Sequence, residues 1–386
     1  MNNNKIKLFY DGFYFGQETY GGISRMWENT ILGLFENFKE FEAIIYAPSC
    51  HNRALHTVIE RLAGDCRLRV LKEKTIKPRW IFGNFRLRNL KLSWVLWKNR
   101  INNPHIFHST LNTIPVFSAK IPVVITVHDL NLQLFPKVFK GAAGYRDFIE
   151  ADRLSIQQSN VVIAVSENTR NDILKVYPKT DKNKVKVVYH GLNPSFLNIP
   201  FDKEGKMQKK YIFFVGGRNR YKNYILLLKA FMQIYKKYKD IELITVGIDT
   251  AQDILKEEAS MVRENNLQNC VKDIGFVSDA KLVELYQNAL VTVIPSLYEG
   301  FGFSLLEAMA CYCPVIASDI PVFRELGKYY IDYFDSRSID ELVRLLEKHL
   351  TCEAELERLE EAYAYANGFT WSKSVAKIFE IYRGLQ

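Results

Sequence analysis

Residues 295–310 combine the residue types and spacing best suited to binding a phosphorylated sugar. A strand-like run ends there, a glycine-containing loop carries Glu299, and a helical pattern follows that carries Glu307. Carboxylates accept hydrogen bonds from sugar and ribose hydroxyls, and the N–H groups at a helix start favour a diphosphate. Gly300 and Gly302 allow the backbone to approach a ligand closely. The segment therefore indicates a site for a nucleoside diphosphate and its sugar.

A structural interpretation of the same segment remains open. Ser304 and Glu307 are spaced as a capping box, in which the glutamate only caps its own helix. Glu299 precedes that cap in a loop, so capping does not account for it.

A second segment, residues 213–223, runs from an apolar strand through a glycine turn at Gly217 to several cations. Arg218 and Lys222 are the candidates for neutralising the charge that builds on a departing diphosphate. Arg220 can substitute for Arg218, since the spacing is not rigid. The alternative is a surface loop with solvated charges.

Two further candidates follow strand-like runs in the first half of the chain. His128 and Asp129 end the run that begins at Val123, and Gly21 and Gly22 lead into a helical pattern. A lone histidine is more often a satisfied structural residue than a catalytic one, and a glycine pair can be a plain turn. Position at a strand end favours a ligand-facing role, because ligands of such sheets bind there.

These motifs must be positioned by two α/β units. Short apolar runs alternate with amphipathic stretches, which predicts parallel sheets covered on both faces. The polar segment 198–210 separates two such patterns. We therefore predict two doubly wound, Rossmann-like domains, residues 1–197 and 198–371, with a helix at 338–366 and a last helix at 372–386.

The spacing of Glu299 and Glu307, followed by Ala-Met-Ala and Cys-Pro-Val-Ile-Ala-Ser-Asp, resembles the signature of the family 4 retaining glycosyltransferases, which have the GT-B fold. The resemblance covers nearly the whole chain. It implies an acceptor-binding first domain and a second domain that binds a nucleotide sugar. It also implies that the last helix, 372–386, packs back on the first domain. It also implies that Glu299 contacts the donor sugar and that Glu307 holds the ribose.

The same resemblance extends to smaller elements. It implies that the backbone of Phe301, Gly302 and Phe303 faces the sugar and diphosphate, and that Val277 lies by the base. It places His128 beside the transferred sugar and the glycine pair at residues 21–22 against the diphosphate.

The net charge of +9 suits an anionic partner, such as a nucleoside diphosphate, a lipid phosphate or a nucleic acid. No nucleic-acid recognition motif, Asp-x-Asp metal motif or ATPase loop occurs in the sequence, so we expect no nucleic acid, no metal and no other cofactor. Neither a signal-peptide pattern nor a long apolar run is present, and a cytoplasmic location is expected.

Residues 77–100 form a basic, tryptophan-rich stretch with seven Lys or Arg and no Asp or Glu. Leu87, Leu90, Trp94 and Trp97 share one helical stripe. A basic amphipathic helix with tryptophan can lie on a membrane surface. It can equally pack its stripe on the first sheet, and the sequence leaves both possibilities open.

The resulting hypothesis is a retaining, metal-independent transferase. It moves a hexose, with mannose- or deoxysugar-type favoured, from a GDP- or UDP-linked donor to a glycan or lipid-linked glycan in surface polysaccharide synthesis. The alternatives are a GT-B nucleotide-sugar epimerase or hydrolase, and a non-catalytic sugar-nucleotide or membrane-binding protein.

Overall fold

The protein is described from a computed structural model. The structure describes residues 5–16, 22–47, 52–72, 85–98, 105–111, 121–136, 145–200, 211–247, 252–353 and 355–386. The chain divides into two compact units, residues 1–191 with 370–386, and residues 192–369. The sequence placed these divisions after residues 197 and 371.

The first unit contains a parallel sheet of seven strands in the order β3-β2-β1-β4-β5-β6-β7. Its strands are β1 (Ile6–Tyr10), β2 (Phe41–Ala47), β3 (Leu68–Lys72), β4 (Ile106–Ser109), β5 (Val123–Val127), β6 (Val161–Ala164) and β7 (Val185–Val187). Its helices are α1 (Gly22–Asn37), α2 (Arg53–Arg61), α3 (Phe85–Lys98), α4 (Asn131–Leu134), α5 (Tyr145–Gln158), α6 (Glu167–Val176) and, at the end of the chain, α14 (Trp371–Arg383).

The second unit contains a parallel sheet of six strands in the order β10-β9-β8-β11-β12-β13. Its strands are β8 (Tyr211–Val215), β9 (Glu242–Val246), β10 (Val271–Gly275), β11 (Val291–Ile294), β12 (Val315–Ser318) and β13 (Asp332–Phe334). Its helices are α7 (Tyr224–Lys237), α8 (Gln252–Glu264), α9 (Asp279–Asn288), α10 (Phe303–Ala310), α11 (Pro321–Gly327), α12 (Ile339–Thr351) and α13 (Leu356–Ala366).

Both sheets are doubly wound, as predicted. Strands β11 and β12 are buried along their whole length because helices cover both faces of the sheet. In each sheet the strand order reverses once, between β1 and β4 and between β8 and β11. Ligands of such sheets bind in the crevice beyond the carboxyl ends of the strands at this reversal.

The last helix belongs to the first unit and packs on α1. Gly33 of α1 leaves room for Val375, whose Cγ1 lies 3.1 Å from where a glycine Cβ would be. A buried polar chain also ties α14 to the sheet: the Tyr382 hydroxyl lies 2.6 Å from His108 Nδ1 and 3.1 Å from the Tyr10 hydroxyl. The return of the C-terminal segment is therefore specified by both packing and hydrogen bonds.

One predicted helix differs from the structure, and two strands were not predicted. The single helix expected from residue 338 to 366 is two helices, α12 and α13, separated after Thr351. Strands β3 and β13 were not predicted. Both lie at sheet edges, and most of their residues are partly or fully exposed, so they lack the continuous apolar run of a buried central strand.

Candidate functional site

A salt bridge between Lys222 and Glu299 lies where the strand order of the second sheet reverses. Lys222 follows β8 and Glu299 follows β11, and these strands are neighbours. Lys222 Nζ lies 2.5 Å from Glu299 Oε1, and the two side chains are 21% and 14% exposed. Two residues separated by 77 positions and predicted to bind the same ligand are therefore in direct contact.

Glu299 is held by a second contact from its own loop. The Ser296 hydroxyl donates to Glu299 Oε1 over 2.8 Å. The carboxylate thus has a fixed orientation beyond the carboxyl ends of β8 and β11, where the strand order reverses. The sequence reasoning missed Ser296, although its place directly beyond β11 was the available signal.

The loop after Glu299 turns into α10 through a glycine in the left-handed region. Gly302, with φ of 110°, is the N-cap of α10, and Phe303 is the first helical residue. A Cβ at position 302 would lie 3.1 Å from a ring carbon of Phe323, so glycine is required by conformation and by space. Gly300 and Phe301 are buried beside it.

The capping box proposed for this helix is wrong. Ser304 lies inside α10 and is not its N-cap. Glu307 is instead buried, and its Oε2 accepts a hydrogen bond of 3.1 Å from the Tyr286 hydroxyl of α9. Burial raises the pKa of Tyr286, so this phenol stays a donor. Tyr286 was not predicted, since it lies in the last turn of α9 and outside any motif.

Arg218 is buried in a network that uses all three of its nitrogens. Nε donates to Glu258 over 3.1 Å, and Nη2 lies 2.7 Å from the Thr245 hydroxyl and 3.2 Å from Asp273. Nη1 reaches the Gly216 carbonyl at 3.3 Å, and the guanidinium lies 4.1 Å from the Tyr224 ring centroid. These contacts fix the turn that carries Gly217.

The neighbouring Arg220 has a different environment. It begins a short 3-10 turn, Arg220–Lys222, and its side chain is exposed. Of the two arginines that the sequence offered for a diphosphate, Arg220 is the more accessible to solvent, whereas Arg218 would have to exchange partners to bind a ligand.

Val277 lies beyond the end of β10, as expected of a residue at the carboxyl edge of the sheet. It is half-buried, and the preceding Phe276 is 50% exposed. Gly275, with φ of 72°, turns the chain there.

In the first unit, His128 follows β5 directly. Its Nε2 is buried and has no hydrogen-bond partner within the described residues. Desolvation lowers the pKa of His128 to about 4, so the imidazole is neutral at physiological pH. A buried neutral imidazole nitrogen without a partner is suited to a hydrogen bond from or to a ligand hydroxyl.

The environment of His128 adds one residue that sequence reasoning missed. His190 lies beyond β7, with ring centroids 6.1 Å from His128 and 5.7 Å from Trp371. Burial lowers its pKa as well, with His128 contributing. Asp129 accepts the Asn131 backbone N–H at 3.0 Å, which starts α4.

Gly22 is the first residue of α1, while Gly21 lies outside the described residues. The first helical turn contains Ser24, which is buried, and the half-buried Arg25. A helix therefore begins at Gly22, as the sequence indicated.

Helix α3 corresponds to the basic stretch and exposes two large apolar side chains. Leu90 is 58% and Trp94 45% exposed, whereas Leu92, Val95 and Leu96 are buried. Leu90 and Trp94, the two members of the stripe whose side chains the structure describes, therefore point outward, and a different face of the helix packs inward. None of the helices in the described part of the chain combines the length and the hydrophobicity that a membrane span requires.

Comparisons with known families match both units. A family profile described as "Glycosyltransferase Family 4" matches residues 20–196, and one described as "Glycosyl transferases group 1" matches residues 196–366. The O-antigen chain mannosyltransferase RfbU of Salmonella typhimurium is 30% identical over 254 residues, covering 64% of this chain and 67% of RfbU. Alpha-maltose-1-phosphate synthase of Mycolicibacterium smegmatis is 28% identical over 290 residues, covering 68% and 73%.

Solved structures show the same fold. HepE of Anabaena, in complex with UDP and glucose, has a TM-score of 0.73 at 18% identity and covers 98% of this chain and 99% of its own. WaaG, a glycosyltransferase involved in lipopolysaccharide biosynthesis, has a TM-score of 0.73 at 16% identity, covering 98% and 99%. At these identities the likeness concerns the fold.

Proposed function

Because this chain belongs to the group 1 and family 4 glycosyltransferases, we propose that it transfers a hexosyl group from a nucleoside diphosphate sugar to a glycan or lipid-linked glycan. The observation that carries the proposal is the Lys222–Glu299 pair at the reversal of the second sheet. A fixed cation beside a fixed carboxylate matches a ligand with a charged diphosphate next to a hydroxyl-rich sugar.

Each charge in this pair has a distinct role. Lys222, with the start of α10, stabilises the negative charge that develops on the leaving nucleoside diphosphate. Glu299 accepts hydrogen bonds from hydroxyls of the sugar and fixes its orientation. When the donor binds, Lys222 exchanges its contact with Glu299 for the diphosphate.

Glu307 holds the ribose. Its carboxylate is buried and already oriented by Tyr286, and carboxylates accept hydrogen bonds from ribose hydroxyls. The backbone of residues 300–303 approaches the sugar and diphosphate, and Gly217 and Val277 line the same edge of the sheet. Arg218 supports the glycine turn, with Arg220 as the accessible cation.

His128 serves the transferred sugar. The support is the buried, unpartnered Nε2, which needs a hydrogen-bond partner that a sugar hydroxyl can supply. A neutral imidazole avoids a second positive charge beside an oxocarbenium-like reaction centre. In this proposal, Gly21 and Gly22 lie against the donor diphosphate and the acceptor.

We further propose that the transfer retains anomeric configuration and needs no metal or other cofactor. Lys222 and the helix start supply the positive charge that a divalent cation provides in other phosphate sites. Activity that survives EDTA supports metal independence, and NMR of the product anomer tests retention. Loss of activity in EDTA that Mg²⁺ or Mn²⁺ restores contradicts the first claim.

The favoured donor sugar is of the mannose or deoxysugar type, for surface polysaccharide synthesis. RfbU is named an O-antigen chain mannosyltransferase, which supports mannose, whereas HepE is described with UDP and glucose. The two descriptions name different sugars, so both GDP- and UDP-linked donors should be tested. Mass spectrometry of products from a donor panel identifies the sugar.

The favoured location is the cytoplasm, with the enzyme docked on a membrane surface. Leu90 and Trp94 are exposed four residues apart on α3, and exposed Lys98 lies 4.5 Å from the Trp94 ring. Such a face combines apolar side chains with positive charge, which suits anionic lipid. Co-sedimentation with phosphatidylglycerol vesicles, lost in a Leu90→Ser/Trp94→Ser variant, tests this.

The function itself is tested by ligand stabilisation followed by turnover. A nucleoside diphosphate at about 100 times its Kd raises the free energy of unfolding by about 2.7 kcal/mol. Donor consumption is then measured with and without acceptor. Equal consumption in both favours the hydrolase or epimerase alternative, and absence of stabilisation by every nucleotide refutes the proposal.

A further inference from the structure

A groove on the second unit lies away from the residues described above. It is lined by Tyr329, Glu355, Leu356, Glu357, Arg358 and Glu361 and has a volume of about 630 Å³. Tyr329 and Tyr330 lie two to three residues before β13, at the edge where the parallel strands begin. Lys222 and Glu299 follow strand ends, at the opposite edge of the same sheet.

The aromatic wall of this groove is presented by a strained turn. Lys328 has φ of 46° and ψ of −128°, a conformation that costs a non-glycine residue about 1–3 kcal/mol. It ends α11 and directs Tyr329 outward, where the side chain is 63% exposed. Backbone strain of this kind clusters at binding and switch sites, which draws attention to the exposed ring beside it.

The turn is rigid because several contacts fix it. The Tyr329 and Tyr330 ring centroids are 4.3 Å apart, and those of Tyr330 and Tyr365 are 5.1 Å apart. Arg358 Nε donates to the Tyr329 carbonyl over 2.9 Å, while its Nη1 contacts Asp332 at 3.1 Å. The exposed ring is therefore preorganised, which lowers the entropy lost on binding.

The charge of the groove indicates which classes of ligand it can bind. Three glutamates and one arginine line it, so it repels nucleic acid, lipid phosphates and other polyanions. Glu357 and Glu361 are exposed and lie one turn apart on α13, on the side of the Tyr329 ring. Carboxylates accept hydrogen bonds from hydroxyls, and Arg358 donates them.

We propose that this groove is a second carbohydrate site, which holds a neutral segment of the glycan acceptor away from the site of transfer. The apolar C–H face of a pyranose stacks on Tyr329, and its hydroxyls bond with Glu357, Glu361 and Arg358. The volume is that of a small-molecule site of a few sugar residues. The choice of a glycan rests on the proposed function, whereas the site itself rests on the groove.

Electrophoresis in native gels that contain mannan or dextran tests the site without donor or turnover. Since the chain has a net charge of +9, the gels run toward the cathode. We expect at least one polysaccharide to retard the protein. Tyr329→Ala weakens this retardation about tenfold or more, and Tyr329→Phe, which keeps the ring, preserves it.

Charge variants on one helix provide the matched control. Glu357→Gln/Glu361→Gln reduces retardation, while Glu360→Gln, exposed on α13 but outside the groove, does not. His128→Ala remains retarded, which separates this groove from the acceptor part of the transfer site. Transfer to a short acceptor by Tyr329→Ala proceeds at the wild-type rate, and transfer to a long one falls.

Retardation of Tyr329→Ala equal to wild type, or absence of retardation by both polysaccharides, overturns the proposal. The proposal is also overturned if the protein self-associates through this groove, which would appear as a lower sedimentation coefficient of Tyr329→Ala than of wild type. A protein that binds polysaccharide here but consumes no nucleotide sugar refutes the proposed function and leaves this site standing.

Discussion

Replacement of Lys222 by alanine gives the sharpest test of the candidate site. The substitution leaves Glu299, which is 14% exposed, without its cation. Exposed ion pairs contribute about 0–1 kcal/mol, and removing one partner of a buried pair costs about 3–5 kcal/mol. For this partly buried pair we therefore expect the free energy of unfolding to fall by about 1–3 kcal/mol.

The expected effect on transfer is larger. A preorganised charge that stabilises a leaving group contributes about 10²–10³-fold to the rate. Urea unfolding gives the stability, and release of nucleoside diphosphate gives kcat/KM. Lys237→Ala is the matched control in the same unit, because its pair with Glu347, at 3.0 Å, is 64% and 38% exposed. It should change stability by less than about 1 kcal/mol and leave transfer unchanged.

The double variant Lys222→Ala/Glu299→Ala separates binding from structure. Removing both charges eliminates the uncompensated carboxylate, so stability returns toward wild type. Activity does not return, because each charge also contacts the donor. Recovery of transfer together with stability would show that the pair is only a structural salt bridge, and our reasoning would be refuted.

Three further predictions follow from the geometry. The pKa of His128 is lowered from 6.5 to about 4, so between these pH values the unfolded chain binds a proton that the folded chain does not. The free energy of unfolding therefore falls as the pH decreases through this window. In the His128→Asn variant, the free energies of unfolding from urea titrations at pH 7 and pH 5 should differ less than in wild type. Arg218→Met lowers the free energy of unfolding by about 3–5 kcal/mol, since it removes the cation that faces the buried carboxylate of Glu258. Arg220→Ala keeps wild-type stability and raises the KM for the donor. Equal loss of stability in both variants contradicts this assignment. Tyr286→Phe removes a hydrogen bond of about 1 kcal/mol from Glu307 and weakens nucleoside diphosphate binding in calorimetry, and unchanged affinity would exclude Glu307 from the ribose site.

The family, the fold class and the position of the main motifs were accessible from the sequence. Apolar runs with intervening amphipathic stretches identify buried parallel strands, because the pattern of a central strand is local. The strand ends then place Glu299, Lys222 and His128 at the ligand-binding edges. Edge strands β3 and β13 escaped prediction, since partial exposure removes the apolar run that marks a strand.

Only the tertiary structure decided what each motif residue contacts. Arg218 and Arg220 are equivalent in sequence, yet one is enclosed by Glu258 and Asp273 and the other is exposed. Likewise the cap of α10 is Gly302 and not Ser304, because the turn needs a left-handed residue. Partners from distant strands and helices determine burial and charge pairing, and local spacing holds no information about them.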